Sequence, residues 1–407
     1  MGLHVAITRQ LSGLAVRLPR LALGVATAAL LAIVAGACGS SATPPTTTTT
    51  TLPPLPPQIY AYVTMIGAGA NIGNGHSVIP VNVSVGGSGP GGAIRVGAWP
   101  DAIAITPDGT RAYVTNYNSD SVTPINLRTG TVLPSITLSA NAGPAGIAIA
   151  PDGKTAYVAD AGAGGTLGNT ITPIDLKSDQ PLPPITVGPG PEAIAITPDG
   201  ARAYVADTGA FVQGQPGSIG STVTPVDLST HKALPPVPVG NAPIAVAITP
   251  DGSTALVANA NSGSISPIDV ASDTAGSPIS VQGGPNSIAI SPTEPTRAWI
   301  ADGTSDSSTT GNVTLIDLTT DTAGSPIEVG KDPQSVAISP DGTTAWVVCY
   351  DSQTLVPLST KTLRPGAAIR LAGGPYAIAL TERSASSLAP APSPAKGTSG
   401  SKNKEKG

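Results

Sequence analysis

The chain has 407 residues, of which 11% are charged and 3% are aromatic, and its formal net charge is −5. This charge leaves no basic face of the kind that holds nucleic-acid phosphates, so we expect no nucleic-acid binding. The 48 glycines and 43 prolines suit many short strands joined by tight turns, with a core of Val, Ile, Leu and Ala.

Residues 1–37 have the pattern of an export signal peptide. Three arginines precede an apolar run over residues 21–34, which ends in small residues. Ala35 and Ala37 satisfy the small-x-small rule for cleavage before Cys38. We therefore expect residues 1–37 to be removed on export.

Cys38 would then be the first residue of the mature protein. Residues 34–41 resemble a bacterial lipobox, in which the cysteine is lipidated, although Ala35 and Gly36 depart from its usual residues. Lipidation of Cys38 predicts an extracytoplasmic protein anchored to the cell membrane by lipid. A secreted protein with an unmodified first cysteine and an uncleaved anchor helix are the alternatives.

Two low-complexity segments flank the rest of the chain. Residues 38–57 are rich in Thr and Pro and are expected to form an extended tether. Residues 383–407 are rich in Ser, Pro and Lys and are expected to be a solvated, disordered tail. Residues 58–382 remain as one folded domain.

A repeated unit fills that domain. A lead-in close to Pro-x-x-Ile-Ala-Ile-Thr-Pro-Asp-Gly precedes Ala-Tyr-Val-Thr-Asn or a near variant. Six intervals separate the proline at Pro107 from its last counterpart, Glu382, so the period is about 46 residues. This period is near that of the four-stranded blades of β-propellers.

Each unit contains four strand signals, A to D. Strand A is the Ile-Ala-Ile segment, as at 103–105, and a Pro-Asp-Gly turn joins it to strand B, as at 112–116. Strand C, as at 122–127, carries a proline in most units, and strand D, as at 185–187, is brief. Since proline removes a hydrogen-bond donor from the ladder, the outer part of each blade is expected to be loosely paired.

The two ends of the repeat complement each other. The first copy of strand B, at 62–64, lacks a strand A before it, and the last strand A, at 377–380, lacks a strand B after it. The sequence therefore predicts an all-β fold, a seven-bladed β-propeller of four-stranded blades. Its ring would close by pairing of the C-terminal strand A with the N-terminal strands B to D.

The repeat resembles the YVTN-repeat β-propeller family of exported microbial proteins. The resemblance rests on Ala-Tyr-Val-Thr-Asn at 112–116, Thr-Pro-Ile-Asn at 123–126 and the lead-in, and it covers residues 58–382. It implies the propeller fold but no particular activity. That family includes surface-layer and cell-envelope proteins of unknown role, and propellers of similar architecture include heme d1 domains and lactonases.

One position in strand A differs from blade to blade. The residue after its first proline is, in order, Asp101, Ala145, Glu192, Ile244, Asn286, Gln334 and Tyr376. The connections into strand A open beside the central channel, so these side chains should line its mouth. We predict a ligand-binding site for a small polar or cationic molecule there, with Asp101, Glu192, Asn286, Gln334 and Tyr376 as its polar residues. An ordinary hydrated entrance is the alternative.

The residue that ends strand B is Asn or Asp in five blades, and this repetition points to a role in blade structure. The five are Asn116, Asp160, Asp207, Asn259 and Asp302. We expect them to form local Asx turns.

Groups for catalysis are scarce. Outside the signal peptide the imidazoles are His76 and His231, and no catalytic triad or metal-ligand spacing appears. We predict no catalytic residue, no metal and no cofactor. The sequence favours a monomeric, non-catalytic propeller that binds a small polar ligand or an envelope component, or acts as a scaffold in the cell envelope. The alternative is an exported hydrolase or lactonase-like enzyme that uses Asp101 and Glu192 at the channel mouth.

Overall fold

A computed structural model describes residues 57–67, 75–84, 89–209, 219–303 and 310–383. The predicted signal peptide, Cys38, nearly all of the predicted tether and the tail beyond residue 383 lie outside the described residues. Besides strands, the described ranges contain two single 3-10 turns, Tyr117–Ser119 and Ala260–Ser262. No helix within these ranges has the length and apolar character needed to cross a membrane.

The described residues form seven antiparallel sheets, one for each repeat, as the periodicity predicts. Blades are numbered here from the first complete repeat, and blade seven combines both ends of the domain. The inner strands, in blade order, are Pro100–Ile105, Pro144–Ile149, Pro191–Ile196, Pro243–Ile248, Gly284–Ile290, Pro333–Ile338 and Pro375–Arg383. The second strands are Arg111–Asn116, Thr155–Asp160, Arg202–Gly209, Thr254–Asn259, Arg297–Gly303, Thr344–Cys349 and Gln58–Met65.

The third and outer strands complete each blade. The third strands are Ser121–Asn126, Thr170–Asp175, Ile219–Asp227, Ser264–Asp269, Asn312–Asp317, Thr354–Ser359 and Ser77–Asn82. The outer strands are short pieces: Thr131–Val132 and Ile136–Thr137; Gln180–Pro181 and Ile185–Thr186; Lys232–Ala233 and Val237–Pro238; Thr274–Ala275 and Ile279–Ser280; Thr322–Ala323 and Ile327–Glu328; Ile369–Arg370; and Gly89–Pro90 and Ile94–Arg95.

The ring closes as predicted. Gln58–Met65 pairs antiparallel with Pro375–Arg383, with Ile59 opposite Glu382 and Tyr62 opposite Ala379. Each inner strand also contacts the inner strands of both neighbouring blades, including blade seven against blades six and one. The fold is therefore a closed seven-bladed propeller, in which no inner sheet edge is left exposed.

The outer part of each blade is loosely paired, but proline is not the cause. The carbonyl of Pro173 accepts a bond of 2.8 Å from Leu182 N–H between the two outer pieces of blade two. In blade five Leu315 replaces the proline, and its carbonyl accepts the same 2.8 Å bond, from Gly324 N–H. The outer strand is thus interrupted in both blades. The N–H that proline lacks would face this gap, so proline is tolerated there.

Large side chains of the second strands fill the space between blades. Tyr113 and Tyr204 are fully buried, and in blade five Trp299 holds the same place. The hydroxyl of Tyr113 donates to Asp179 of blade two at 2.8 Å, and that of Tyr204 donates to Asp273 of blade four at 2.6 Å. Each buried phenol therefore keeps a hydrogen-bond partner while it contributes about 1.5–3 kcal/mol of apolar burial.

The Asn and Asp residues that end the second strands do not form local Asx turns. They are buried, and they reach across to the third strand. Asn116 donates to the hydroxyl of Thr123 at 2.8 Å, whereas Asp160 accepts from the hydroxyl of Thr172 at 2.7 Å. One side-chain oxygen stays buried without a hydrogen-bond partner in each of the five blades, on Asn116, Asp160, Asp207, Asn259 and Asp302. Amide and carboxylate thus fit the same place, because a hydroxyl partner can both donate and accept.

Burial perturbs the three carboxyl members of this set. It raises the pKa of Asp160 to about 6, although the hydroxyls of Thr172 and Thr170 oppose the shift. Burial likewise raises the pKa of Asp207 to about 6 and that of Asp302 to about 7. In the unfolded chain an aspartate has a pKa of about 3.9, so the folded state binds more protons at mildly acidic pH. Stability should therefore fall as pH rises through the folded pKa values.

Asp→Asn variants at positions 160, 207 and 302 should flatten this pH dependence. Each should raise the free energy of unfolding at about pH 8 by about 1–3 kcal/mol, with little change at about pH 3.5, below the unfolded pKa, because the amide has no charge to desolvate. Denaturant unfolding followed by circular dichroism at both pH values measures the difference. The reverse change, Asn116→Asp, is the matched control and should destabilise the protein at the higher pH alone. A uniform effect at both pH values would contradict this account.

Candidate functional site

A β-bulge turns the start of every inner strand toward the channel. The register between inner and second strands shifts just after the first proline in all seven blades, as between Pro100 and Ile103 in blade one. Bulges insert an extra residue and change where side chains point. The residue after the proline is therefore free of the ladder and faces the centre of the ring.

These residues surround one cavity of about 320 Å³ at the mouth of the channel. All five predicted polar residues line it: Asp101, Glu192, Asn286, Gln334 and Tyr376. Ile244 of blade four joins them, and blade two contributes Gly146. Ala145 is 1% exposed instead, and its carbonyl accepts a bond from the Thr115 hydroxyl at 2.6 Å. Blade two therefore contributes not the expected Ala145 but the residue after it, whose counterparts in the other blades that also line the cavity are Ala102, Ala193, Ser287, Ser335 and Ala377.

Asp101, Glu192 and Tyr376 interact on one side of the cavity. Burial raises the pKa of Asp101 to about 7. Burial, and then the charge of Asp101, raise the pKa of Glu192 to about 8. The pKa of Tyr376 is raised well above its usual range, first by the charge of Asp101 and then by burial. Two acids at this depth cannot both ionise freely near neutral pH, because each carboxylate raises the free energy of its neighbour.

Blade two allows the two acids to lie near each other. Its inner strand presents Gly146 to the cavity, between Asp101 of blade one and Glu192 of blade three. A Cβ at Gly146 would lie 2.6 Å from the carbonyl oxygen of Glu192 and 2.8 Å from the Cα of Ala193. Any larger residue at Gly146 would therefore push the strand that carries Glu192 out of place.

Trp99 orients Asp101 from an unusual backbone conformation. Its indole N–H donates to the Asp101 carboxyl and lowers the pKa that burial raises. Trp99 has a φ of 53°, in the left-handed region, where four other blades have glycine before the proline. Ala242 and Asp332 hold the same place in blades four and six with φ of 54° and 53°, so this conformation belongs to the blade structure, at a cost of about 1–3 kcal/mol for a bulky residue. Its ring packs on Tyr117, with centroids 5.7 Å apart.

Two threonines hold the bulges that carry Asp101 and Tyr376. The hydroxyl of Thr115 accepts from Ala102 N–H at 2.9 Å, and that of Thr64 accepts from Ala377 N–H at 2.9 Å. Ala102 and Ala377 directly follow Asp101 and Tyr376 in the chain. The other five blades have Ala or Val at this place in the second strand. The threonines therefore fix the backbone on the side of the cavity that carries Asp101 and Tyr376.

The opposite side of the cavity is lined by amides and hydroxyls. Asn286 and Ser287 of blade five lie there beside Gln334 and Ser335 of blade six. The amide of Gln334 donates to Asp332 at 2.7 Å, and that of Asn286 donates to the carbonyl of Pro333 at 3.1 Å. Burial raises the pKa of Asp332, and the hydrogen bond from Gln334 opposes that rise.

Two further cavities adjoin the first through shared walls. One, of about 260 Å³, lies against the loop of residues 161–167 and shares Glu192 with the central cavity. The other, of about 830 Å³, shares Asn286 and Gln334 and is also lined by Asp332. The mouth is therefore a set of connected polar recesses around the central site.

None of the described residues that line the three cavities is Lys, Arg or His. Among the described residues no three His, Cys, Asp or Glu side chains lie close enough to hold a metal ion. The arrangement can therefore attract a cation, accept hydrogen bonds from a ligand, or move a proton between Asp101 and Glu192.

The sequence prediction missed Trp99, Thr115, Thr64 and Asp332. They share one sequence feature with the mouth residues: each differs from the residues at the equivalent position in most other blades. Trp99 and Asp332 stand before the first proline, where glycine is commonest, and the threonines stand among Ala and Val.

No family model matches the chain, and no curated protein matches it. Solved structures do. Hydrazine synthase of Kuenenia stuttgartiensis aligns with a TM-score of 0.60 and 24% identity over 72% of this chain and 91% of that chain. A protein of unknown function from Desulfotomaculum acetoxidans aligns with a TM-score of 0.61 and 16% identity over 79% of this chain and 98% of that one.

A third structure is a Bacteroides fragilis protein provisionally described as a 6-phosphogluconolactonase. It aligns with a TM-score of 0.61 and 18% identity over 83% of this chain and 99% of that chain. At these identities the likeness establishes the fold alone. The chain is thus a propeller similar in fold to these three structures, and its membership of the YVTN-repeat family stays a prediction.

Trp99→Phe should raise the pKa of Asp101 above its present value of about 7. The phenyl ring retains packing against Tyr117 but lacks the N–H that stabilises the carboxylate. Carbon-13 NMR titration of the Asp101 carboxyl measures the shift. Tyr117→Phe is the control, since the hydroxyl of Tyr117 donates to Gly162 and not to Asp101. An unchanged Asp101 titration in Trp99→Phe would show that the indole does not set this pKa.

Proposed function

We propose that this protein is a non-catalytic binding propeller of the cell envelope that takes a small, positively charged polar ligand at its channel mouth. One observation carries the proposal. Asp101 and Glu192 line the same cavity, burial raises the pKa of both carboxyls, and none of the described residues that line the cavity is cationic.

The electrostatics favour a cationic ligand. Four ion pairs occur among the described residues, and neither acid belongs to any of them. A bound cation would replace the missing countercharge and lower the pKa of both carboxyls. The attraction would be stronger than at a fully exposed surface, because the raised pKa values reflect partial desolvation of both carboxyls. An anionic ligand would instead be repelled by the two carboxylates.

An enzyme remains the second candidate, on a specific observation. Two interacting carboxyls with pKa values of about 7 and 8 are suited to acid–base chemistry near neutral pH. One similar structure is provisionally described as a 6-phosphogluconolactonase. A phosphorylated substrate of the kind that this name indicates would face the acidic wall without a basic partner among the lining residues. The geometry therefore favours binding of a cation over this reaction.

We place the propeller outside the cytoplasm on the strength of residues 1–57. The signal-like segment, the lipobox-like residues before Cys38 and the Thr/Pro-rich tether together suit a propeller held at some distance from a membrane. A monomer is sufficient for this function, because the cavity is formed by the seven blades of one chain.

Lipidation of Cys38 is tested on protein isolated from the membranes of an expressing bacterium. Intact-mass and peptide mass spectrometry should find a diacylglyceryl group on Cys38 as the first residue, and Cys38→Ser should release the protein from the membrane fraction. An unmodified Cys38 at the mature N-terminus would leave a secreted protein and refute the anchor. Cys349 is the control cysteine, since it is buried in blade six.

Cation binding is tested by calorimetry with a panel of small amines. At least one amine should bind the parent protein at about pH 8, and its affinity should fall about tenfold or more at about pH 5.5, where both carboxyls are neutral. Asp101→Asn with Glu192→Gln should abolish binding and retain the fold. Glu328→Gln, the same change on an exposed outer strand, should have no effect.

Two results would count against this function. If no amine in the panel binds, the cationic ligand is wrong. If the parent protein hydrolyses lactones or esters in a screen and the double variant does not, the enzyme candidate is right.

A further inference from the structure

We infer that the ligand is a hydroxylated amine of the amino-sugar class, with its ammonium group on Asp101 and Glu192 and its hydroxyl groups on blades five and six. This inference rests on the proposed function and specifies its ligand. It follows from the different chemistry of two walls of the cavity and from the polar groups on each wall that can still form hydrogen bonds or ion pairs.

The acidic wall has unpartnered groups that face the cavity. Among the described residues, the carboxyl of Glu192 and the hydroxyl of Tyr376 have no hydrogen-bond partner, and both side chains line the cavity. The residues beside them are small, with Ala102, Gly146 and Ala193 completing this wall. A small ammonium group fits such a place, because it supplies both a charge and several N–H donors.

The opposite wall offers acceptors whose orientation is fixed. The side chain of Gln334 faces a carboxylate and that of Asn286 faces a carbonyl, so in each case the NH₂ end of the amide must be the donor. The amide oxygen of each is left as an acceptor. The hydroxyl of Ser287 accepts from Val336 N–H at 3.3 Å and keeps its own hydrogen free to donate. Ser335 adds a second hydroxyl to this wall.

A ligand that satisfies both walls carries a cation at one end and several hydroxyl groups at the other. A simple alkyl amine would leave the amide oxygens of blades five and six without donors, and an uncharged sugar would leave the acid pair without a countercharge. A sugar acid would be repelled by Asp101 and Glu192. The cavity of about 320 Å³ lies near the lower end of the range for small-molecule sites, which is about 300–1,000 Å³ and suits a single sugar ring.

The test compares three probes of similar ring size by calorimetry on the full chain near neutral pH. Glucosamine has the charge and the hydroxyl groups, cyclohexylamine has the charge alone, and glucose has the hydroxyl groups alone. We expect glucosamine to bind at least about tenfold more tightly than either of the others, because it alone satisfies both walls. N-acetylglucosamine, in which the charge is removed, should bind like glucose.

Variants assign each half of the ligand to its wall. Glu192→Gln should weaken glucosamine about tenfold or more and leave glucose unchanged. Asn286→Ala should weaken glucosamine and leave cyclohexylamine unchanged. Glu328→Gln on the exposed outer strand is the matched control for the loss of a carboxylate. Thermal unfolding of each variant establishes that the fold is retained.

The possible outcomes separate this inference from the proposed function. Equal binding of cyclohexylamine and glucosamine would show that the hydroxyl groups do not contribute to binding. This would refute the amino-sugar ligand and leave the cation-binding propeller. Equal binding of glucose and glucosamine would show that the ammonium charge does not contribute to binding, and this would refute both proposals. If glucosamine does not bind while another amine of the panel does, the amino-sugar class is wrong and the cationic ligand stands.

Discussion

Pairing between the two ends of the domain is the interaction on which the rest of the structure depends. Gln58–Met65 and Pro375–Arg383 lie more than 300 residues apart in the chain, and the hydrogen bond from Ala377 N–H to the Thr64 hydroxyl joins them beside the cavity. Until this pairing forms, the seven inner strands have open edges and no common centre. Once it forms, each inner strand is held by both neighbours, and the mouth residues of all blades are fixed relative to one another.

At the mouth of the closed ring the backbone is the same from blade to blade, whereas the side chains differ. The same bulge follows the first proline in every blade, so in six of the seven blades the next residue lines the cavity whatever its side chain is. Asp101, Ile244 and Gln334 occupy equivalent backbone positions with unrelated chemistry. A propeller can therefore change its ligand by substitution at these positions without changing its fold, which is why similarity to other propellers says little about function.

Much of the fold and part of the site could be predicted from the sequence, because both follow from the repeat. The period, the unpaired strands at the two ends and the variable position at the mouth are visible in a linear chain. Gly146 was missed because the residue two places after the proline also faces the cavity, which the linear sequence does not show, and Trp99 was missed because its role depends on a hydrogen bond across the turn. The sequence also suggested Asp101 and Glu192 as a pair at the channel mouth, but the rise in their pKa values, which follows from burial and from the charge of Asp101 on Glu192, could be seen only in the closed ring.

Two kinds of buried carboxyl group occur in this protein, and their comparison bears on the site. Asp160 and its counterparts within the blades accept hydrogen bonds from threonine hydroxyls, and in two other blades asparagine takes the same place without a charge. The fold therefore accommodates an amide wherever a buried carboxylate is not required. At the mouth Asp101 has the Trp99 indole as its donor, and Glu192 has no hydrogen bond among the described residues. An uncharged amide would fill the same space at either position, so the stability of the ring does not require these two carboxyl groups, and this is what motivates the proposed cation site.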